Sequence, residues 1–294
     1  GLGWIPLEFL AGQGLAGMPV VLYTYGLLSL LALPLIWLQR AAWWPQRYAL
    51  LAICLFGGWA TAGLVGALSE GDVVRAMLLF YLAPVWGLLG GWLLLGERLT
   101  ALRIAALLLA MVGIVLTLGI SREAFRPFTL PDWLALSAGL AFALNNLATR
   151  AAEQIPLASK SVVAFIGSTV LAGLFCGFQG AGLPATTPVL WAQVALFGLF
   201  WLIAMGAAQY GFTHVEAGRA AVLVVIELLV AVLTAAWFGD RELGLREWLG
   251  GALVLAAALM AARPTVGSSP PCCEAKPRAY AWISSAGRNT SAAC

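Results

Sequence analysis

The stretch VLVVIELLVAVL, residues 222–233, holds one carboxylate, Glu227, among eleven apolar side chains. Glu227 follows Arg219 by eight residues and precedes Phe238 by eleven, close to the centre of a segment long enough to cross a bilayer. An ionised carboxylate at that depth costs about 3 kcal/mol, so it must face the bundle interior, a partner or water. Small residues on its helical stripe, Ala220, Ala231 and Thr234, leave room for a cavity and equally allow close approach of a second helix. Two readings stay open. Glu227 either binds a cationic substrate group or exchanges a proton, or it stays protonated and hydrogen-bonds two helices together.

Other side chains offer recognition chemistry. Glu8 stands four residues after Trp4 in GWIPLEFLAG, on the same helical face, with Pro6 between them loosening the backbone. The pair reads as a carboxylate beside an aromatic wall, or as a rim residue beside ordinary packing. Asn145 and Asn146 are adjacent in LAFALNNLATR, with Thr149 four residues after the first. Two amides facing lipid would go unpaired, so one is expected to face a cavity or a neighbouring helix. Gln209, beside Tyr210 in AMGAAQYGF, has the same two readings. Tyr81 and Trp86 flank Pro84, with Trp59 and Trp201 elsewhere. Such rings hold planar or cationic groups when they line a cavity, and otherwise pack or sit at the interface. Arg75, Arg219, Glu97 and Glu242 read as end-of-helix anchors and turn caps, and His214 as a solvated turn residue. No phosphate loop, dinucleotide glycine pattern, HExxH or GxSxG occurs, and no cysteine spacing suggests zinc or a disulfide framework. Neither a catalytic residue, a metal nor a cofactor is expected, and ATP-driven transport and hydrolase chemistry are disfavoured.

The elements that position these groups must lie in a membrane. Hydrophobic residues make up 62% of the 294 and charged residues 10%, with a mean hydropathy of +0.93. A soluble domain carries about 25% charged residues. The apolar runs have the length of bilayer-spanning helices, about 20 residues, and do not alternate as barrel strands do. After a partial helix over residues 1–10, spans are expected at 17–38, 48–67, 75–95, 102–120, 133–150, 161–180, 188–211, 219–238 and 247–263. Residues 264–294 lose the apolar pattern and read as a disordered tail.

Lys and Arg divide between the segment ends. Arg40, Arg47, Arg98, Arg103, Arg150, Lys160, Arg219 and Arg263 fall on one side, and Arg75, Arg122, Arg126, Arg241 and Arg246 on the other. The positive-inside rule then puts the first set and both termini in the cytoplasm, in an inner or plasma membrane.

The chain also repeats itself. Arg75-Ala76 matches Arg219-Ala220, each pair opening an apolar helix that ends in a glycine-plus-acid turn, LGERL against FGDREL. With five helices per half, the copies would lie in opposite orientations, an arrangement that puts a transporter's site near the midplane.

Arg75, the apolar helix with Pro84, LGERLT and the helix with Gly113 together resemble the EamA-type modules of the drug/metabolite transporter superfamily. The second copy, Arg219 to Glu242 and on through WLGGALVLAAALM, is similar, and Gly3-Trp4 fits the family's first span. The resemblance implies an all-α membrane protein of about ten helices in two inverted five-helix repeats, residues 1–120 and 132–263. It also implies export of small metabolites, such as amino acids, by alternating access. One departure stands out: FYLAPVW in the first copy is matched by VIELLVA in the second, which lacks the Pro, so a Pro-based gap is not expected there. The expected partners are a small-molecule substrate, the lipid bilayer and a coupling proton, with no nucleic acid, in a monomer or homodimer. Two other readings are a membrane enzyme acting on lipids through Glu8 and Glu227, and a passive channel. The inverted repeat favours transport over both.

Overall fold

A computed structural model describes residues 2, 4–119, 127–178, 183, 187–238 and 244–262, so Glu242 and the tail lie outside the described residues. Every regular element among the described residues is helical. The order is α1 (Trp4–Gly12), α2 (Met18–Leu38), α3 (Arg40–Trp43), α4 (Arg47–Glu70), α5 (Val73–Phe80), α6 (Ala83–Leu95) and α7 (Ala101–Leu118). There follow α8 (Leu130–Ala151), α9 (Leu157–Phe178), α10 (Pro188–His214), α11 (Ala217–Leu223), α12 (Ile226–Phe238) and α13 (Leu245–Ala262). A short 3₁₀ turn, Trp44–Gln46, joins α3 to α4.

Seven segments are long and apolar enough to cross a membrane: 18–38, 40–70, 73–95, 101–118, 157–178, 188–214 and 245–262. This is a multi-pass membrane protein. Two of the expected spans miss that criterion for identifiable reasons. α8 carries Asp132, Asn145, Asn146 and Arg150, and it is walled by α4, α5, α6 and α10, so protein rather than lipid surrounds its polar groups. α11 and α12 together cover the 219–238 span but are separated by a break, and each alone is short.

The helices meet through small residues. A Cβ on Gly113 of α7 would come 2.8 Å from the Gly250 carbonyl oxygen of α13, and Gly167 of α9 lies directly against the Cys54 carbonyl of α4. In lipid, such close backbone approach supplies the packing that the hydrophobic effect supplies in water.

Ion pairs pin both ends of the bundle. At one end Asp72 caps α5 by accepting from Arg75 N–H, and the Arg75 side chain pairs with Asp132 at 2.8 Å. Asp132 in turn closes a capping box with Thr129 at the start of α8. At the other end Arg219 donates to the Ala261 and Ala262 carbonyls, at 2.8 and 2.7 Å, where α13 runs out of intrahelical partners. Arg75 and Arg219 are thus anchors, as their positions at helix starts suggested.

Candidate functional site

Two long apolar segments are interrupted, and they are the two copies of the internal repeat. The first breaks at Tyr81–Leu82, between α5 and α6, the second at Val224–Val225, between α11 and α12. Their positions match to within one residue of the offset between Arg75 and Arg219. Each gap is bridged by short-range bonds, Val85 N–H to the Leu82 carbonyl (2.9 Å) and Glu227 N–H to the Val224 carbonyl (2.9 Å). Pro84 accounts for the first break, since it lacks an N–H and sits in the opening turn of α6. The second break forms without Pro, so the interruption there has a different local cause from the Pro-based gap of the first copy.

Both interruptions face one cavity of about 20 Å³, room for a water and little more. Phe80, Tyr81 and Pro84 line it from the first copy, Val224 and Val225 from the second, and Phe142 and Asn146 from α8. The two expected amides divide as their helical positions require. Asn146 lines the cavity. Asn145 points at α4, where a Cβ on Gly57 would come 3.0 Å from its Oδ1. Asn145 Nδ2 donates to Asn146 Oδ1 at 3.3 Å, while Asn145 Oδ1 is buried without a hydrogen-bond partner among the described residues.

Glu227 differs most from its expected place. It lies in the first turn of α12 rather than mid-helix, and it is exposed rather than turned into the bundle. The break explains the difference, because Ala220 belongs to α11 and no longer continues its stripe. Leu233 and Trp237, also exposed on α12, lie about 80–120° around the helix from Glu227 at 100° per residue. The carboxylate therefore stands at one edge of the exposed face of α12 rather than at its centre.

The remaining candidates scatter. Trp86 stands two residues beyond Pro84, with a buried indole N–H that has no partner among the described residues. Gln209 is buried on α10, and its Oε1 is likewise unpartnered. Glu8 is exposed on α1, whose end packs on α2 and α10 through Leu10 and Leu15, and it does not line the cavity. Trp4 opens α1, but its side chain lies outside the described residues. Trp59 donates to Ser137 Oγ at 3.1 Å and Trp201 stacks on Tyr25, so both serve packing.

The cavity is shut at one end. α6 and α11 pack so closely that a Cβ on Gly87 would come 2.8 Å from the Ala221 Cβ. Beyond that contact, left-handed Gly96 ends α6 at φ 69° and turns Glu97 onto the start of α11. Glu97 Oε1 accepts the Ala217 N–H at 2.6 Å, and Arg103 bridges Glu97 (3.8 Å) to Glu216. A carboxylate on a helix N-terminus satisfies an orphan donor and the positive end of the dipole. Glu97 was expected to cap or to pair, and it does both, with its cap on the start of α11.

Lys160 is the residue that pattern alone missed. It is fully buried, and its ammonium donates to the Thr149 carbonyl and to Thr213 Oγ1, both at 3.0 Å. Those acceptors lie in the last turns of α8 and α10, so one cation serves the negative ends of two helices.

The EamA-like transporter family matches residues 8–119 and 129–263. A protein of Archaeoglobus fulgidus named an uncharacterised transporter is 28% identical over 221 residues, 74% of this chain and 77% of that protein. One of Helicobacter pylori, named in the same words, is 24% identical over 71% of this chain and 72% of its own. Among solved structures, one crystal structure shares the fold, with a TM-score of 0.66 at 17% identity over 89% of this chain and 96% of that one.

Proposed function

This chain belongs to the EamA-like transporter family, and from that premise we propose that it is a secondary transporter exporting small metabolites, amino acids among them, by alternating access. The paired interruptions on one cavity carry this reading. Discontinuous helices at corresponding places of two repeats are where transporters build their sites, because freed backbone groups and helix ends are available to a substrate there. In this reading α1 is the first of about ten helices, arranged as two inverted five-helix repeats, 1–120 and 132–263, in an inner membrane with both termini cytoplasmic.

The residues divide the work. Phe80, Tyr81 and Phe142 offer ring faces to the apolar or planar part of a substrate, and the Asn146 amide takes a polar group. Glu227, exposed in the first turn of α12, receives an ammonium at the open end or exchanges a proton there. The end closed by Gly87, Ala221 and Glu97 faces the cytoplasm, where most of the Lys and Arg lie. For cargo to enter from that side, α6 must part from α11 and Glu97 must release the Ala217 N–H. At about 20 Å³ the cavity is a closed state of the route.

The test is counterflow of labelled amino acids in proteoliposomes, comparing wild type with Glu227→Gln and with and without an imposed pH gradient. Saturable flux that responds to the gradient in wild type alone is the expected result. Flux that rises linearly with concentration and shows no competition would make the protein a channel. No flux for any amino acid would remove that cargo class.

A further inference from the structure

The connection between α2 and α4 gathers aromatic and cationic side chains that do not line the cavity. Residues 39–46, QRAAWWPQ, turn the chain at the same bundle end as Lys160, because Ser159 Oγ bonds Gln39 Oε1 at 2.7 Å. Trp43 Nε1 donates to the Ile36 carbonyl at 2.9 Å and folds the turn back onto α2. Around it Trp37 is 68% exposed, Leu38 78% and Trp44 59%, an apolar collar at the ends of two spans. Trp and Tyr in such positions mark the headgroup level of a bilayer.

Two arginines rest on that collar. The Arg40 guanidinium lies 4.7 Å from the Trp37 ring centre, and that of Arg47 lies 5.4 Å from Trp44 and 4.8 Å from Tyr48. Neither has a carboxylate partner among the described residues, and no Asp or Glu occurs anywhere from residue 9 to residue 69. Arg103, Arg150 and Arg219, at the same end, each pair with a glutamate. A guanidinium resting on a ring spends its face there and keeps its N–H edge, the edge that forks a phosphate; Arg47 gives one N–H to the Tyr48 hydroxyl at 3.5 Å and keeps the others. The charge of this turn is therefore left for an anion from outside the described residues. The apolar collar fixes where that anion lies, at the membrane surface.

We propose that the 37–48 turn binds the headgroup of an anionic phospholipid, with Arg40 and Arg47 on its phosphate and Trp37, Trp44 and Tyr48 against its glycerol and upper acyl region. The site is independent of what the transporter carries. It ties the α2–α4 connection, and hence the helices around Lys160, to the lipid composition of the leaflet.

Native mass spectrometry of the purified full-length chain, titrated with phosphatidylglycerol and separately with phosphatidylcholine, tests this. Phosphatidylglycerol binds the wild type more tightly. Each arginine removed weakens that binding about five-fold, so R40Q alone loses about five-fold and R40Q/R47Q about 25-fold. Arg98→Gln, an exposed arginine at the same end without an aromatic partner, leaves it unchanged. Equal binding of the two lipids, or a double variant that keeps its phosphatidylglycerol affinity, overturns the proposal. So does an equal loss in R98Q, which would reduce the effect to general surface charge. Displacement of the lipid by free glycerol phosphate at the same concentration would also overturn it, replacing the lipid site with a phosphate site.

Discussion

Gly87→Ala adds one methyl group at the contact that shuts the cavity, and its consequence follows from the geometry. The new Cβ would sit 2.8 Å from the Ala221 Cβ. Carbon atoms in ordinary contact stay about 3.5–4.0 Å apart, so α6 and α11 must separate by about 1 Å. Overpacking of this size costs about 1–3 kcal/mol. The strain falls on the closed arrangement and is relieved when the helices part, so the equilibrium between shut and open shifts about 5–150-fold toward open. Gly206→Ala is the matched control, because its new Cβ on α10 meets nothing within 4 Å. Spin labels at positions 98 and 214, both exposed at this end, would report the distance between the α6–α7 turn and the end of α10. A second, longer distance population in G87A and a wild-type distribution in G206A are expected. An unchanged distribution in G87A, or the same new population in both variants, would refute the idea that the Gly87–Ala221 contact closes the cavity.

Other consequences are more local. Asp132→Asn removes the carboxylate 2.8 Å from Arg75, which is 8% exposed, and should cost about 3 kcal/mol, read as a lowered Tm of the detergent-solubilised protein. Lys160→Ala strips the last-turn acceptors of α8 and α10 of their donor and should cost about 1–3 kcal/mol in the same assay. Asn146→Ala should change KM for a transported substrate, whereas Asn145→Ala, facing α4, should lower Tm and leave KM alone; the reverse pattern would place the site on the other face of α8.

How much of this was legible in the residues depends on where each signal resides. Hydropathy placed the spans, and the cap chemistry of Asp72 and Thr129 with Asp132 is local enough to fix helix starts. The break at Tyr81–Leu82 was marked by Pro84. The break at Val224–Val225 was not, because β-branched residues lower helix propensity only slightly and the interruption depends on packing against α6 and α8. That hidden break also misplaced Glu227, whose distance from either end of its segment says nothing once the helix is in two pieces. Lys160 counted only as a positive charge at a segment end. Its burial depends on where the ends of α8 and α10 meet, which no window of the sequence contains. Asn145 and Asn146 were separable in principle by their 100° offset, but which of them meets the cavity is decided by Gly57 admitting one amide to α4.

The central claim is that the cavity between the two interrupted helices is the transport route, and filling it tests that most directly. Val224, half-buried at the second interruption, lines the cavity, and Val224→Phe adds more volume than about 20 Å³ can hold. Flux of a transported amino acid into proteoliposomes should fall at least about ten-fold, a cost of roughly 1.4 kcal/mol or more in transition-state terms, while the Tm stays within a few degrees of wild type. Wild-type flux and KM in V224F would contradict the account and move the route elsewhere in the bundle.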